Sequence, residues 1–348
     1  MYIILGASFL LSLFSFFNLL GINSTYAYTQ LGFILFGILI YIFAKVLGIG
    51  FFKKNYKFLY WLFIFLLLLV FLIGDEVRGS KRWIDLYFLN FQPSEFFKII
   101  FIIFISKFIS LNEENLEKRN IYFTSLAYLL LPFIIIYKQP DLGNALVYIT
   151  IFFSITLLSK IPKKFIFNTV LVLLITLPLL WGLLKDYQKN RIISFIVKTE
   201  NVTESNYNLV QSIISVGSGK FLGRGLGYGT QSKLAFLPEN HTDFAYSSLT
   251  EQFGFVGSFT ILFLFLLICI ELLKLIMKLS SNSTLSNRFY LYYSIGFLSY
   301  FTFQVFVNIA MNLGSFPIAG VALPIISYGG SSLSTYILGI ALLPFDKV

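Results

Sequence analysis

Sixteen Asp and Glu residues in a chain of 348 are few enough to inspect singly, and an acid at membrane depth is by default a functional candidate. Glu95 follows Pro93 in FQPSEFFK (91–98), and Lys98, three residues on, shares its helical face. Asp141 lies in the turn KQPDLG (138–143), Asp243 in ENHTDFAY (239–246) and Glu251 in TEQFGFVGS (250–258), about two helical turns beyond Asp243. Taken singly, Glu95, Asp141 and Asp243 also suit helix N-termini, where a carboxylate meets unpaired N–H groups and the positive end of the dipole. Arg78, Lys81 and Arg82 crowd into 75–95 beside Asp75, Glu76 and Asp85, which could simply neutralise them. Carboxylates next to Lys and Arg are suited to moving a proton from a hydroxyl and to holding a diphosphate as its charge grows.

Other chemistries find less support. His241 is the only histidine, so a His-rich metal site is impossible, and no serine sits in a nucleophile-elbow pattern that would make a triad with it. It reads as a loop residue near Asp243 rather than a catalytic base. Cys269 is the single cysteine, which rules out an internal disulfide and a Cys-based metal site. An oxygen-ligated divalent cation (Mg or Mn) stays open as a cofactor. The glycine runs GSGKFLGRGLGYG (217–229) and SYGG (327–330) match neither GxxxxGK[ST] nor GxGxxG after a strand, so a nucleotide site is not expected.

The elements that must position these residues are membrane helices. With 57% hydrophobic and 12% charged residues, and 42 Phe and 21 Tyr, the chain is far too apolar for a soluble enzyme. Segments of bilayer-spanning length fall near 2–21, 31–50, 58–74, 96–111, 121–137, 142–159, 165–184, 253–277, 289–312 and 322–344. The fold expected is an all-α polytopic membrane protein of about ten transmembrane helices, one domain over 1–348, with a large extracytoplasmic loop (186–245) between helices seven and eight. That loop is too long to be a bare connection and is expected to be partly helical. The first segment has no basic leader or cleavage motif and should remain as helix one.

With the N-terminus cytoplasmic, the inner connections carry Lys53, Lys54 and Lys57, then Lys118 and Arg119, then Lys160, Lys163 and Lys164, then Lys274, Lys278 and Arg288, as the positive-inside rule requires. The net charge of +10 is thus spread over short segments, which favours membrane lipids over nucleic acid as the basic residues' partner. The same count puts Arg78, Lys81, Arg82, Glu95, Lys98, Asp141 and Asp243 at the outer ends of helices or in outer loops. Helix caps alone would be scattered over both ends, so this one-sidedness points to a shared polar cavity open to the outer leaflet.

Together GSKRW (79–83), FQPSEFFK (91–98), KQPDLG (138–143), GYGTQSKLAFLPENHTDFAY (227–246), EQFGFVG (251–257) and PIISYGGSS (324–332) resemble the SEDS family (shape, elongation, division and sporulation) of bacterial peptidoglycan polymerases. GTQSKLAFLPENHTDF is similar to the elongation-type, RodA-like branch; a division-type, FtsW-like polymerase is the alternative. The resemblance implies a peptidoglycan glycosyltransferase in the bacterial cytoplasmic membrane, its active site facing outward, with lipid II as substrate and a class B penicillin-binding protein as partner. It puts the proposed catalytic acid on Asp243 and other important polar positions on Glu95, Lys98 and Asp141, with Arg78, Lys81, Arg82 and Glu251 as further substrate-binding candidates. Asp, with an ordinary pKa of about 3.9, is a weak base for a sugar hydroxyl, so partial desolvation and concerted attack would be needed. One departure is visible: where the family commonly has two consecutive acids before FG, Glu251 is followed by Gln252. A lipid II flippase, which would need polar groups near the midplane and access from both faces, is the reading from another class.

Overall fold

The computed structural model describes residues 1–77, 80–85, 90–183, 189, 193, 204–281 and 285–345. Its helices are α1 (Tyr2–Ile22), α2 (Ser24–Lys54), α3 (Tyr56–Ile73), α4 (Pro93–Leu111), α5 (Arg119–Lys138), α6 (Leu142–Leu157), α7 (Lys163–Leu183), α8 (Glu204–Ser218), α9 (Thr230–Lys233), α10 (Ala245–Ser281), α11 (Leu285–Asn312) and α12 (Gly330–Ala341). Among the described residues six helices are long and apolar enough to cross a bilayer: α1, α2, α3, α5, α10 and α11 over Asn287–Asn312. Their outward faces carry Phe9, Leu39, Phe43, Trp61, Phe65, Phe259 and Leu266, exposed as only a lipid environment tolerates.

α4 and α11 form the centre. α4 packs against α3, α6, α11 and α12, and its run from Phe97 to Ser106 is buried without interruption. A helix buried on every side has no polar face to spare, so its charged residues must find partners inside the protein. α1 lies between α2 and α10, while α12 packs on α2.

The structure departs from straight spans in three places: α2, expected over 31–50, starts at Ser24 and kinks at Gly48 (φ 65°, ψ 161°), and the eighth and tenth spans also differ. The predicted eighth span, 253–277, starts at Ala245 and kinks at Gly254 (φ 66°, ψ −163°). The kink frees the carbonyls of Glu251 and Gln252, which accept from Arg224 N (2.9 Å) and Gly225 N (3.1 Å), while Phe255 N and Val256 N donate to Lys220 O (2.9 Å) and Phe221 O (3.2 Å). Gly223 (φ 83°) and Gly254 press backbone to backbone with no room for a Cβ on either. The glycine run at 217–229 is therefore a backbone seam that repairs a broken helix.

The predicted tenth span, 322–344, is helical only over Gly330–Ala341. Pro324, Ile325 at φ 71° and Gly329 at φ 154° prevent an earlier start. Irregular backbone at this depth needs side-chain partners: Ser15 Oγ donates to Ile326 O (2.8 Å), Asn308 Nδ2 to Val321 O (2.8 Å), and Gln30 Oε1 accepts from Gly329 N (3.3 Å). The segment 75–95, expected as a loop, forms a small antiparallel sheet of β1 (Asp75–Val77), β2 (Ser80–Asp85) and β3 (Asn90–Phe91), pairing Glu76 with Lys81 and Ile84 with Phe91. Within 186–245, α8 is amphipathic and packs on α10.

Candidate active site

Pro93 opens α4 and places Glu95 in its first turn. Lys98 Nζ donates to Glu95 Oε1 at 2.7 Å, with Lys98 fully buried and Glu95 nearly so. Two charges removed from water persist only as a close, hydrogen-bonded pair. The ammonium also lies 5.6 Å from the Tyr300 ring centroid on α11. Glu95 Oε2 and Tyr300 Oη are buried and make no hydrogen bond, so this pocket keeps polar capacity that its own packing does not use.

Asp141 caps α6, accepting from Asn144 N at 3.4 Å, as its sequence position alone allowed. Its carboxylate also receives Asn144 Nδ2 (2.8 Å) and Gln92 Nε2 (3.1 Å), and Arg82 Nη1 lies 3.7 Å from Oδ1. Arg82 binds the turn before it as well, donating from Nε to Gln139 O (3.2 Å) and from Nη2 to Pro140 O. Gln92 immediately precedes α4, so Asp141 is tied to the turn that presents Glu95 and is near enough to act electrostatically on Lys98. Lys81 is half-buried on β2, and Arg78 lies outside the described residues. Among the described residues no three His, Cys, Asp or Glu side chains converge as a ligand set. The donors around Asp141 suit an anion held in place rather than a ligand of Mg or Mn.

Asp243 is half-buried just before α10. Its carbonyl accepts from Asn308 Nδ2 and Asn312 Nδ2, each at 3.0 Å. Asn308 also binds Val321 O, and Asn312 Oδ1 accepts from Ser247 N (3.0 Å) and Ser247 Oγ (2.7 Å). These asparagines tie the backbone at Asp243 and Ser247 to Val321, which holds the backbone of the candidate base against 319–321. A Cβ on Gly320 would stand 3.9 Å from Asp243 Oδ2, while Ala319 O and the Val321 side chain leave no room for a Cβ on Gly143, two residues past Asp141. The loop 319–321 thus has Asp243 on one side and the Asp141 end of α6 on the other. Glu95, Lys98, Arg82, Asp141 and Asp243 come together at one end of the bundle.

Neutral polar residues complete the cluster. Tyr300, Gln304, Asn308 and Asn312 recur every four residues along α11 and so form one stripe from Lys98 to Asp243. Gln304 is fully buried, and neither amide atom is hydrogen-bonded. The four-residue spacing is visible in an otherwise apolar segment, although none of the four side chains is charged at neutral pH.

A protein-family model described as a cell cycle protein, FTSW_RODA_SPOVE, matches residues 1–345. The chain belongs to this family. Within it, the chain is 35% identical over 286 residues to the probable peptidoglycan glycosyltransferase FtsW of Wigglesworthia glossinidia brevipalpis (80% of this chain, 72% of that one). It is 33% identical over 288 residues to the peptidoglycan glycosyltransferase MrdB of Escherichia coli K12 (82% and 75%). Among solved structures, the fold is similar to a chain from work titled "Structural coordination of polymerization and crosslinking by a peptidoglycan synthase complex" (TM-score 0.83, 25% identity, 99% and 96% covered). It is also similar to the rod shape determining protein RodA of Thermus thermophilus (TM-score 0.72, 25% identity, 99% and 95% covered). The protein is a helical, multi-pass membrane protein of this FtsW/RodA/SpoVE family.

The family's acid pair before FG is a structural junction in this member. Glu251 is fully buried and accepts from Gln231 N (2.9 Å), Ser232 N (2.9 Å) and Ser232 Oγ (2.7 Å), clamping α9 onto α10. Gln252 donates from Nε2 to Asn18 O (3.0 Å) and Asn18 Oδ1 (2.8 Å) and accepts Gly227 N (3.1 Å). A second carboxylate could accept but not donate there. Glu251→Ala is expected to take the acceptor from two buried donors on Ser232 and from the partly buried Gln231 N, cost about 3 kcal/mol, and expose 219–233 to protease. Thermal unfolding and limited proteolysis of the purified variant check this, and an unchanged digestion pattern would contradict it.

Proposed function

We propose that the chain, a peptidoglycan glycosyltransferase of its family, polymerises lipid II into glycan strands during cell elongation, with Asp243 as general base. In this reading Asp243 takes the proton of the 4-hydroxyl on the acceptor's GlcNAc as that oxygen attacks the anomeric carbon of the donor's MurNAc. The bond from that carbon to the diphosphate breaks, and undecaprenyl diphosphate leaves with the electron pair. Concerted transfer lets a carboxylate act on a weakly acidic hydroxyl. Lys98 and the Arg78, Lys81 and Arg82 segment offset charge developing on the leaving diphosphate. Glu95 orients Lys98, and Asp141 holds Arg82 and the α5–α6 turn.

The observation that carries the reading is the loop 319–321, which has Asp243 against Gly320 and the Asp141 end of α6 against its other side. An acid, the buried Lys98 and the partly buried Arg82, from segments far apart in sequence, share one end of the bundle, as transfer to a sugar hydroxyl with loss of a diphosphate requires. The basic residues at the opposite end support a cytoplasmic N-terminus and an outward-facing site. A class B penicillin-binding protein as partner is supported by the likeness to a chain of a peptidoglycan synthase complex.

Purified protein given lipid II, with and without that transpeptidase, is expected to make lysozyme-sensitive strands and to release undecaprenyl diphosphate. Lipid II that crosses vesicle membranes without being polymerised would overturn the glycosyltransferase reading in favour of transport. Depletion in cells is expected to give rounding, whereas filaments would assign the protein to division.

A further inference from the structure

The end of the bundle opposite the active site holds a cavity of about 390 Å³ lined by Lys53, Lys107, Ser110, Leu111, Glu113, Glu114, Asn115 and Phe289. Lys107 is twelve residues beyond Glu95 on α4, roughly 18 Å along the helix at about 1.5 Å per residue. The cavity therefore takes no part in the chemistry at Asp243. Its walls come from the end of α2, the end of α4, the turn Glu113–Asn115 and the first turns of α11.

The charges here are unevenly matched. Glu113 is buried, and its Oε2 accepts from Tyr292 Oη at 2.9 Å. Its Oε1 faces Lys160 Nζ (3.5 Å) and Arg288 Nε (3.6 Å). Those two cations neutralise it from the α6–α7 connection and from α11. Lys53 and Lys107 remain. Neither is within 4 Å of a carboxylate among the described residues, and the two are near enough to repel one another. Lys53 Nζ lies 5.0 Å from the Phe289 ring centroid and 5.1 Å from that of Tyr290, which aligns the ammonium at the cavity wall. Glu114 is the other acid on the lining and is exposed. Four cations thus surround two carboxylates. The carbonyls of Lys107 and Phe108 are already capped by Ser110 Oγ (3.0 Å) and Asn112 Nδ2 (2.8 Å), so the end of α4 does not present these oxygens to an anion.

We propose that this cavity binds the phosphate of an anionic phospholipid headgroup from the inner leaflet. A phosphodiester between Lys53 and Lys107 relieves their repulsion and satisfies two ammoniums, while the acyl chains extend along the lipid-exposed surface of α2. The same chemistry could accept free phosphate, but a site at the bilayer edge meets lipid at far higher local concentration. This inference rests on the orientation in which the Lys-rich connections face the cytoplasm, and it is independent of the role given to Asp243.

The test is native mass spectrometry of protein purified from nanodiscs containing equal phosphatidylglycerol and phosphatidylcholine. Wild type is expected to retain phosphatidylglycerol preferentially. Lys53→Gln with Lys107→Gln should weaken that retention about 30-fold, as expected for two basic residues near a membrane surface. Lys54→Gln with Lys57→Gln removes the same charge from exposed positions that do not line the cavity and should weaken retention clearly less than the Lys53/Lys107 pair does, while Lys53→Arg with Lys107→Arg should keep it. Equal retention by the Lys53/Lys107 variant and wild type overturns the proposal, as does equal loss in both glutamine pairs. Protection of the protein from thermal unfolding by inorganic phosphate but not by phosphatidylglycerol would assign the cavity to a soluble anion and overturn the lipid assignment.

Discussion

Lys98→Ala is expected to lower the stability of the purified protein by about 3–5 kcal/mol, because it leaves Glu95 as a buried carboxylate with no counter-charge. Lys98 is fully buried and its ammonium is 2.7 Å from Glu95 Oε1, so its removal takes away the counter-charge at hydrogen-bonding distance. Polymerisation should fall by at least about 100-fold, since the cation nearest the α4 end of the cluster is gone. Stability and activity are separable. Glu95→Gln with Lys98→Met removes both charges at similar volume and should recover most of the lost stability, as replacing buried ion pairs with neutral groups commonly does. It should not recover activity. Thermal unfolding in detergent alongside strand synthesis reads both. A Lys98→Ala protein that unfolds at the wild-type temperature would show that the pair is not the desolvated ion pair described above.

How much of this site could be read from the chain depends on the distance over which each contact is set. The Glu95–Lys98 pair follows from three-residue spacing on one helix, which local geometry guarantees. Asp141 was legible as both a cap and a polar-cluster member, and it serves as both. That Arg82 is its partner was not legible, because the direction of Arg82 depends on the register of a three-stranded sheet whose strands are too short to announce themselves. The sequence places Glu251 among the substrate-binding candidates but does not show its protein partners: Gln231 and Ser232 arrive through a loop docked at the Gly254 kink, a tertiary event that periodicity does not encode.

The last span shows the same limit. Its residues are apolar enough to be read as helix from 322, yet 322–329 is irregular, with Ser15, Gln30 and Asn308 supplying backbone partners in the same region from helices far away in sequence. The stripe of Tyr300, Gln304, Asn308 and Asn312 was present in the sequence at helical spacing. Neutral amides in an apolar run carry no charge to mark them, although amides are what hold an irregular backbone at membrane depth.

Asp243→Asn tests the assignment of Asp243 as the base. Asn keeps the side-chain size beside Gly320 and leaves the Asp243 carbonyl in the grip of Asn308 and Asn312. The carboxylate's charge and its capacity to accept a proton are lost together, and a positioned general base contributes about 10²–10⁴-fold to rate. Strand synthesis from purified lipid II, measured for wild type and Asp243→Asn in the presence of the transpeptidase partner, is the direct measurement. The expected result is polymer from wild type and a loss of at least about 100-fold in the variant, with lipid II binding and unfolding temperature unchanged. A folded Asp243→Asn protein that polymerises lipid II at the wild-type rate would contradict the account.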